Sequence, residues 1–109
     1  MDKLKKFTNI LKNSGSTPVY VLFYSDHCGA CKYFKPIVLD HFKKCEQLGI
    51  NIISIFVSAD SGEELFNYYN IEGIPTLMLF IDNKLVETII GSNKEKLLDS
   101  LKKYTKYIN

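Results

Sequence analysis

Arginine and tryptophan are absent from this 109-residue chain, and cysteine and proline occur only three times each. Without arginine the formal charge of +2 rests on 14 lysines scattered from Lys3 to Lys106, a dispersion that excludes a nucleic-acid surface and leaves the lysines to solvate helix faces. Three cysteines are too few, and odd in number, for a structural disulfide framework; they fit a working pair plus one spare. The first residues, Met1-Asp2-Lys3-Leu4-Lys5-Lys6, develop no apolar h-region, and no later run approaches the roughly 18 apolar residues needed to cross a bilayer. These absences predict a cytoplasmic protein without membrane or nucleic-acid partners. A hydrophobic content of 46% is enough to enclose one core, so residues 1–109 read as a single domain.

Against that background the chemistry concentrates in Cys28-Gly29-Ala30-Cys31, which follows an apolar run at 19–24 and opens a segment with helical apolar spacing. The first N–H groups of a helix lack internal partners and carry the positive end of its dipole, so a sulfur placed there is favoured as thiolate. With Cys28 just before the helix and Cys31 inside its first turn, Cys28 is the exposed attacking sulfur and Cys31 the sheltered resolving one.

The remaining pattern supplies a scaffold. Leu4, Phe7, Ile10 and Leu11 mark a helix over 2–13. Residues 19–24 read as a strand buried on both faces. Phe34, Ile37, Val38, His41, Phe42, Cys45 and Leu48 stripe a long helix over 28–48 that Gly49 ends, with a kink expected at Pro36. A strand at 50–57 is followed by a short helix carrying Leu65, Phe66 and Tyr69, with Ser61 and Glu64 as its capping box. Strands at 76–81 and 85–90 flank a three-residue loop, Asp82-Asn83-Lys84. Ser92 and Glu95 offer a second capping box, before a helix striped by Leu97, Leu98, Leu101, Tyr104 and Ile108. Tyr20, Tyr24, Tyr33, Tyr68 and Tyr69 are expected mostly in the core or at its edge. The predicted class is α/β, in the order α-β-α-β-α-β-β-α.

From residue 19 onward the chain resembles thioredoxin. The resemblance rests on Cys28-Gly29-Ala30-Cys31-Lys32, on Pro36, on Gly73-Ile74-Pro75-Thr76 and on Gly91. It implies a thioredoxin fold, a central mixed four-stranded sheet flanked by four helices, and a protein-disulfide oxidoreductase with catalytic Cys28 and Cys31. It also implies a substrate-binding surface of His27, Gly29, Ala30, Gly73, Ile74, Pro75 and Gly91. Ile74 would offer backbone hydrogen bonds to a substrate strand, beside a cis Ile74–Pro75 bond in a tight turn facing the cysteines. No cofactor or metal is called for. Pro75 has no N–H to offer a metal, and a zinc site joining the cysteine pair to His41 and Cys45 is excluded by roughly 20 Å of helix rise. The implied partners are disulfide-containing proteins and a thioredoxin-reductase-like or small-thiol reductant, met by a monomer.

Two departures from the family bear on mechanism. Where thioredoxins bury an aspartate and a partnering lysine, this chain has Leu22 and Phe56, a paired loss of charge that avoids an uncompensated buried ion but removes a base for Cys31. Where thioredoxins have tryptophan before the first cysteine, this chain has His27, which favours the Cys28 thiolate when protonated, while Asp26 opposes it. Cys45 reads as a small buried hydrophobe with an inert thiol. Two alternatives stay open: a disulfide oxidase or isomerase of higher potential, and a non-catalytic adaptor that only holds a partner.

Overall fold

The computed structural model describes residues 2–108. Its elements follow the order expected: α1 (Asp2–Asn13), β1 (Val19–Tyr24), α2 (Gly29–Gln47), β2 (Ile53–Ser58), α3 (Glu63–Tyr68), β3 (Thr76–Ile81), β4 (Lys84–Ile90) and α4 (Lys94–Tyr104). The strands form one mixed sheet ordered β2-β1-β3-β4, with β1 parallel to β2, antiparallel to β3, and β3 antiparallel to β4.

β1 is apolar throughout because it lies inside the sheet and is covered on both faces. Its alternation sends Tyr20 and Leu22 into one cluster with Phe34, Val38 and Cys45 of α2 and Leu97 and Leu101 of α4. Val19, Val21 and Phe23 enter the other, with Phe7 and Leu11 of α1 and Leu65 of α3. β3 divides likewise, Leu77 and Leu79 to the first cluster and Met78 and Phe80 to the second. The sheet is therefore sandwiched between two helix pairs, and the C-terminal end of β1 is held where α2 begins.

Several local expectations are corrected. β2 starts at Ile53, not residue 50: Ile50 and Ile52 pack on the core from the connection, and pairing begins where the Ile53 N–H reaches the Pro18 carbonyl at 2.9 Å. The hairpin turn has two residues, since Lys84 already pairs with Ile81; Asp82 and Asn83 both take positive φ, 54° and 62°, which suits the strand twist. Neither capping box forms. Gly62, not Ser61, is the N-cap of α3, without a side-chain cap bond, and a Cβ at Gly62 would stand 2.3 Å from Val57 Cγ1, so only glycine fits this approach to β2. Glu64 Oε1 instead accepts from the Leu4 N–H at 3.4 Å. Asn93, not Ser92, caps α4, its side chain accepting from the Lys96 N–H at 3.0 Å.

The stripes also lose members at their ends. Leu48 is exposed beyond α2, where Gly49 takes the positive φ of a helix stop; Ile10 is exposed on α1; Ile108 is 86% exposed past α4. Tyr107, not Ile108, returns to the core, its hydroxyl 2.7 Å from Nδ1 of buried His41. Tyr20 is fully buried, whereas Tyr33 and Tyr68 are exposed. α2 runs through Pro36 without ending.

Candidate active site

Three chain segments converge at the start of α2. The first is the β1–α2 connection. Cys28 is the N-cap, in an extended conformation, and its Sγ accepts the Cys31 N–H at 3.2 Å, taking the role a serine or aspartate oxygen usually fills. The Cys28 carbonyl opens the helix by accepting the Lys32 N–H at 3.0 Å. Ser25 shapes the approach: its carbonyl accepts from the Cys28 N–H at 3.3 Å and its Oγ from the His27 N–H at 3.1 Å. His27, Gly29 and Ala30 are exposed around the sulfur.

The second segment is the turn before β3. The Ile74–Pro75 bond is cis, and the Ile74 carbonyl lies 3.9 Å from Cys28 Sγ. Thr76 Oγ1 closes the turn by donating to the Gly73 carbonyl at 2.6 Å. The third is the β4–α4 connection, where Gly91 takes φ of +89° and donates its N–H to the Pro75 carbonyl at 2.8 Å. Next to it, Ser92 Oγ donates to the Ala30 carbonyl at 3.0 Å. The cysteine pair, Gly73-Ile74-Pro75 and Gly91 are thus brought together as the sequence suggested. Ser92 and Thr76 were missed as site residues. Ser92 was masked by its capping pattern with Glu95, and the one signal that it could be spared for another use is Asn93, an equally good cap one residue later.

The two thiols differ in kind. Cys28 is partly exposed, and its thiol is held below the ordinary value chiefly by the hydrogen bond between it and Cys31; burial opposes this, and the N–H groups of Cys31 and Ala30 each add a smaller lowering. The cause is the first turn of α2 itself. Cys31 is 1% exposed, and burial, reinforced by Cys28 beside it, pushes its thiol up to about 11. One sulfur ionises more readily than an ordinary thiol and the other holds its proton more tightly. Cys45 is buried among apolar neighbours, and desolvation raises its thiol as well, which fits an inert hydrophobe. Leu22 and Phe56 are register partners on β1 and β2, an apolar pair in the cluster beneath α2. Among the described residues, no three His, Cys, Asp or Glu side chains gather to hold a metal, and no helix is long and apolar enough to cross a membrane.

The family model named Thioredoxin matches residues 2–103. The chain belongs to the thioredoxin family. As a member of that family it is a protein-disulfide oxidoreductase. A thioredoxin of Ophiophagus hannah is 30% identical over 101 residues, 93% of this chain and 92% of that protein. Thioredoxin 1 of Synechococcus elongatus is 33% identical over 90 residues, 82% of this chain and 81% of its own. In fold the chain is similar to a solved thioredoxin from Nicotiana alata, with a TM-score of 0.82, 20% identity, and coverage of 94% of this chain and 85% of that one.

Proposed function

We propose that this thioredoxin-family protein reduces disulfides in protein substrates, with Cys28 as nucleophile and Cys31 as resolving thiol. The observation that carries the reading is the asymmetry of the pair: a partly exposed Sγ accepting the Cys31 N–H at 3.2 Å, beside a buried thiol pushed up to about 11. The Cys28 thiolate attacks one sulfur of the substrate disulfide, forming a Cys28–substrate bond and expelling the other sulfur as thiolate. Cys31, on losing its proton, attacks Cys28 Sγ, forms the Cys28–Cys31 disulfide and releases the second substrate sulfur. Two electrons pass from the protein to the substrate, and a reductase or a small thiol must return them. A substrate strand lying along Ile74 would present its disulfide to Cys28, with His27, Gly29, Ala30, Gly73, Pro75 and Gly91 forming the surface around it.

Continuous re-reduction requires a reducing compartment, which supports a cytoplasmic site of action. The test is disulfide reduction in an insulin precipitation assay. Cys28→Ser abolishes turnover, and Cys31→Ser stalls as a trapped mixed disulfide; a wild-type protein that reduces no insulin, with a Cys28→Ser, Cys31→Ser double variant that keeps its biological function, would leave only the adaptor role. A second reading, an oxidant or isomerase, is favoured by one observation, the apolar Leu22–Phe56 pair beneath the site. Equilibration with glutathione separates the two. A potential near about −270 mV, typical of thioredoxins, supports the reductase, and one near about −180 mV supports the isomerase.

A further inference from the structure

Ser92 donates its hydroxyl to the Ala30 carbonyl at 3.0 Å, and that carbonyl belongs to the same peptide unit as the Cys31 N–H, which points at Cys28 Sγ at 3.2 Å. A trans peptide holds its C=O and N–H on opposite sides of one plane, so a bond accepted at the oxygen polarises the amide and strengthens the bond donated at the nitrogen. We propose that Ser92 is a positioning residue for the nucleophile, acting through the Ala30–Cys31 peptide to strengthen the hydrogen bond that the thiolate of Cys28 accepts.

The placement of Ser92 follows from its neighbours. Gly91, at φ of +89°, turns the chain so that its own N–H grips the Pro75 carbonyl at 2.8 Å while the next side chain reaches Ala30. Asn93 caps α4, which leaves the Ser92 hydroxyl free of that duty. A closed circuit results: Cys28 to Ile74 at 3.9 Å, Pro75 to Gly91, Ser92 to Ala30, and Cys31 back to Cys28. The β4–α4 connection thereby holds both halves of the site, the proline turn through backbone and the cysteine helix through a hydroxyl. An alanine at position 92 would keep the backbone grip and lose the second one.

The proposal rests on Cys28 being the nucleophile, yet it can be read at the sulfur without turnover. The experiment is the pH profile of iodoacetamide alkylation of Cys28 in the reduced full-length protein, mapped by mass, for wild type, Ser92→Ala and Ser92→Thr. Ser92→Ala should move the midpoint to higher pH and slow alkylation at neutral pH about twofold, with a melting temperature close to wild type. Ser92→Thr, which keeps a hydroxyl, should restore the wild-type profile. An unchanged or lowered midpoint in Ser92→Ala overturns the proposal, as does a threonine variant that behaves like alanine. Persistent disulfide reduction by Cys28→Ser would instead remove the underlying assignment and is measured separately.

Discussion

Release of substrate from the mixed disulfide should be limited by the proton on Cys31, and the size of the effect follows from where that thiol sits. In the free dithiol, burial is the largest cause of a rise to about 11, and the Cys28 hydrogen bond is the next. Once Cys28 is bonded to a substrate sulfur, it no longer carries the charge that opposes a second thiolate, so its share of the rise disappears. Desolvation persists, because Cys31 is 1% exposed. The resolving thiol then titrates between its ordinary value of 9.0 and about 11. At pH 7 its thiolate fraction is between roughly one in a hundred and one in ten thousand, and it grows about tenfold per pH unit. Rapid mixing of the reduced protein with a chromogenic aromatic disulfide separates the steps. The first release of chromophore depends on reagent concentration and reports Cys28; the second does not and reports Cys31. The second rate should climb about tenfold per unit from pH 6 to 8.5, and a flat profile over that range would show that the Cys31 proton does not limit release. Leu22→Asp offers a carboxylate in the cluster that contains Phe34, one turn beyond Cys31, and should flatten the slope. Losing a fully buried leucine costs about 2–5 kcal/mol, a large share of a small domain's roughly 5–15 kcal/mol, so the variant is compared at low temperature.

Two further outcomes probe the scaffold. Tyr20 Oη bonds Ser100 Oγ at 2.8 Å in the core, and burial raises its phenol far above the ordinary 10.0, so the contribution of Tyr20 is full below pH 10 and lost as pH rises above it. Tyr20→Phe should therefore cost about 1–2 kcal/mol at pH 7 and progressively less above pH 10, checked by urea unfolding at both; an equal cost at both would contradict the sign. Asn93→Ala should cost about 1 kcal/mol through loss of the α4 cap, while Ser61→Ala, at a position that caps nothing, should leave the unfolding midpoint within error.

Much of this protein was legible from residue types and spacing, because the relevant physics is local or periodic. An uninterrupted apolar run is expected of a strand covered on both faces, and β1 is one. A cysteine immediately before a helical stripe had to meet the free N–H groups of the first turn, and Cys28 does. Even the paired loss of charge at Leu22 and Phe56 made sense in sequence, and the register places the two side by side. Where the sequence reading failed, a neighbouring residue took the task. Ser61 and Ser92 carried the capping patterns, yet Gly62 and Asn93 start the helices. The crowding of Val57 against residue 62 selected Gly62, and the reach from Gly91 to the active-site helix claimed Ser92 and left the cap to Asn93. Tyr107 and Ile108 competed for one place in the core, and the Tyr107 hydroxyl took it by meeting the buried His41 that an apolar side chain would have left unpaired. The elements and the Cys28–Cys31 pair at the start of α2 could be read from the chain alone, since each depends on neighbours along it. Tertiary structure decided which hydroxyls and carbonyls meet across Cys28, Ile74, Pro75, Gly91, Ser92 and Ala30, because those contacts join segments as many as 62 residues apart and exist only once the sheet has brought their ends together.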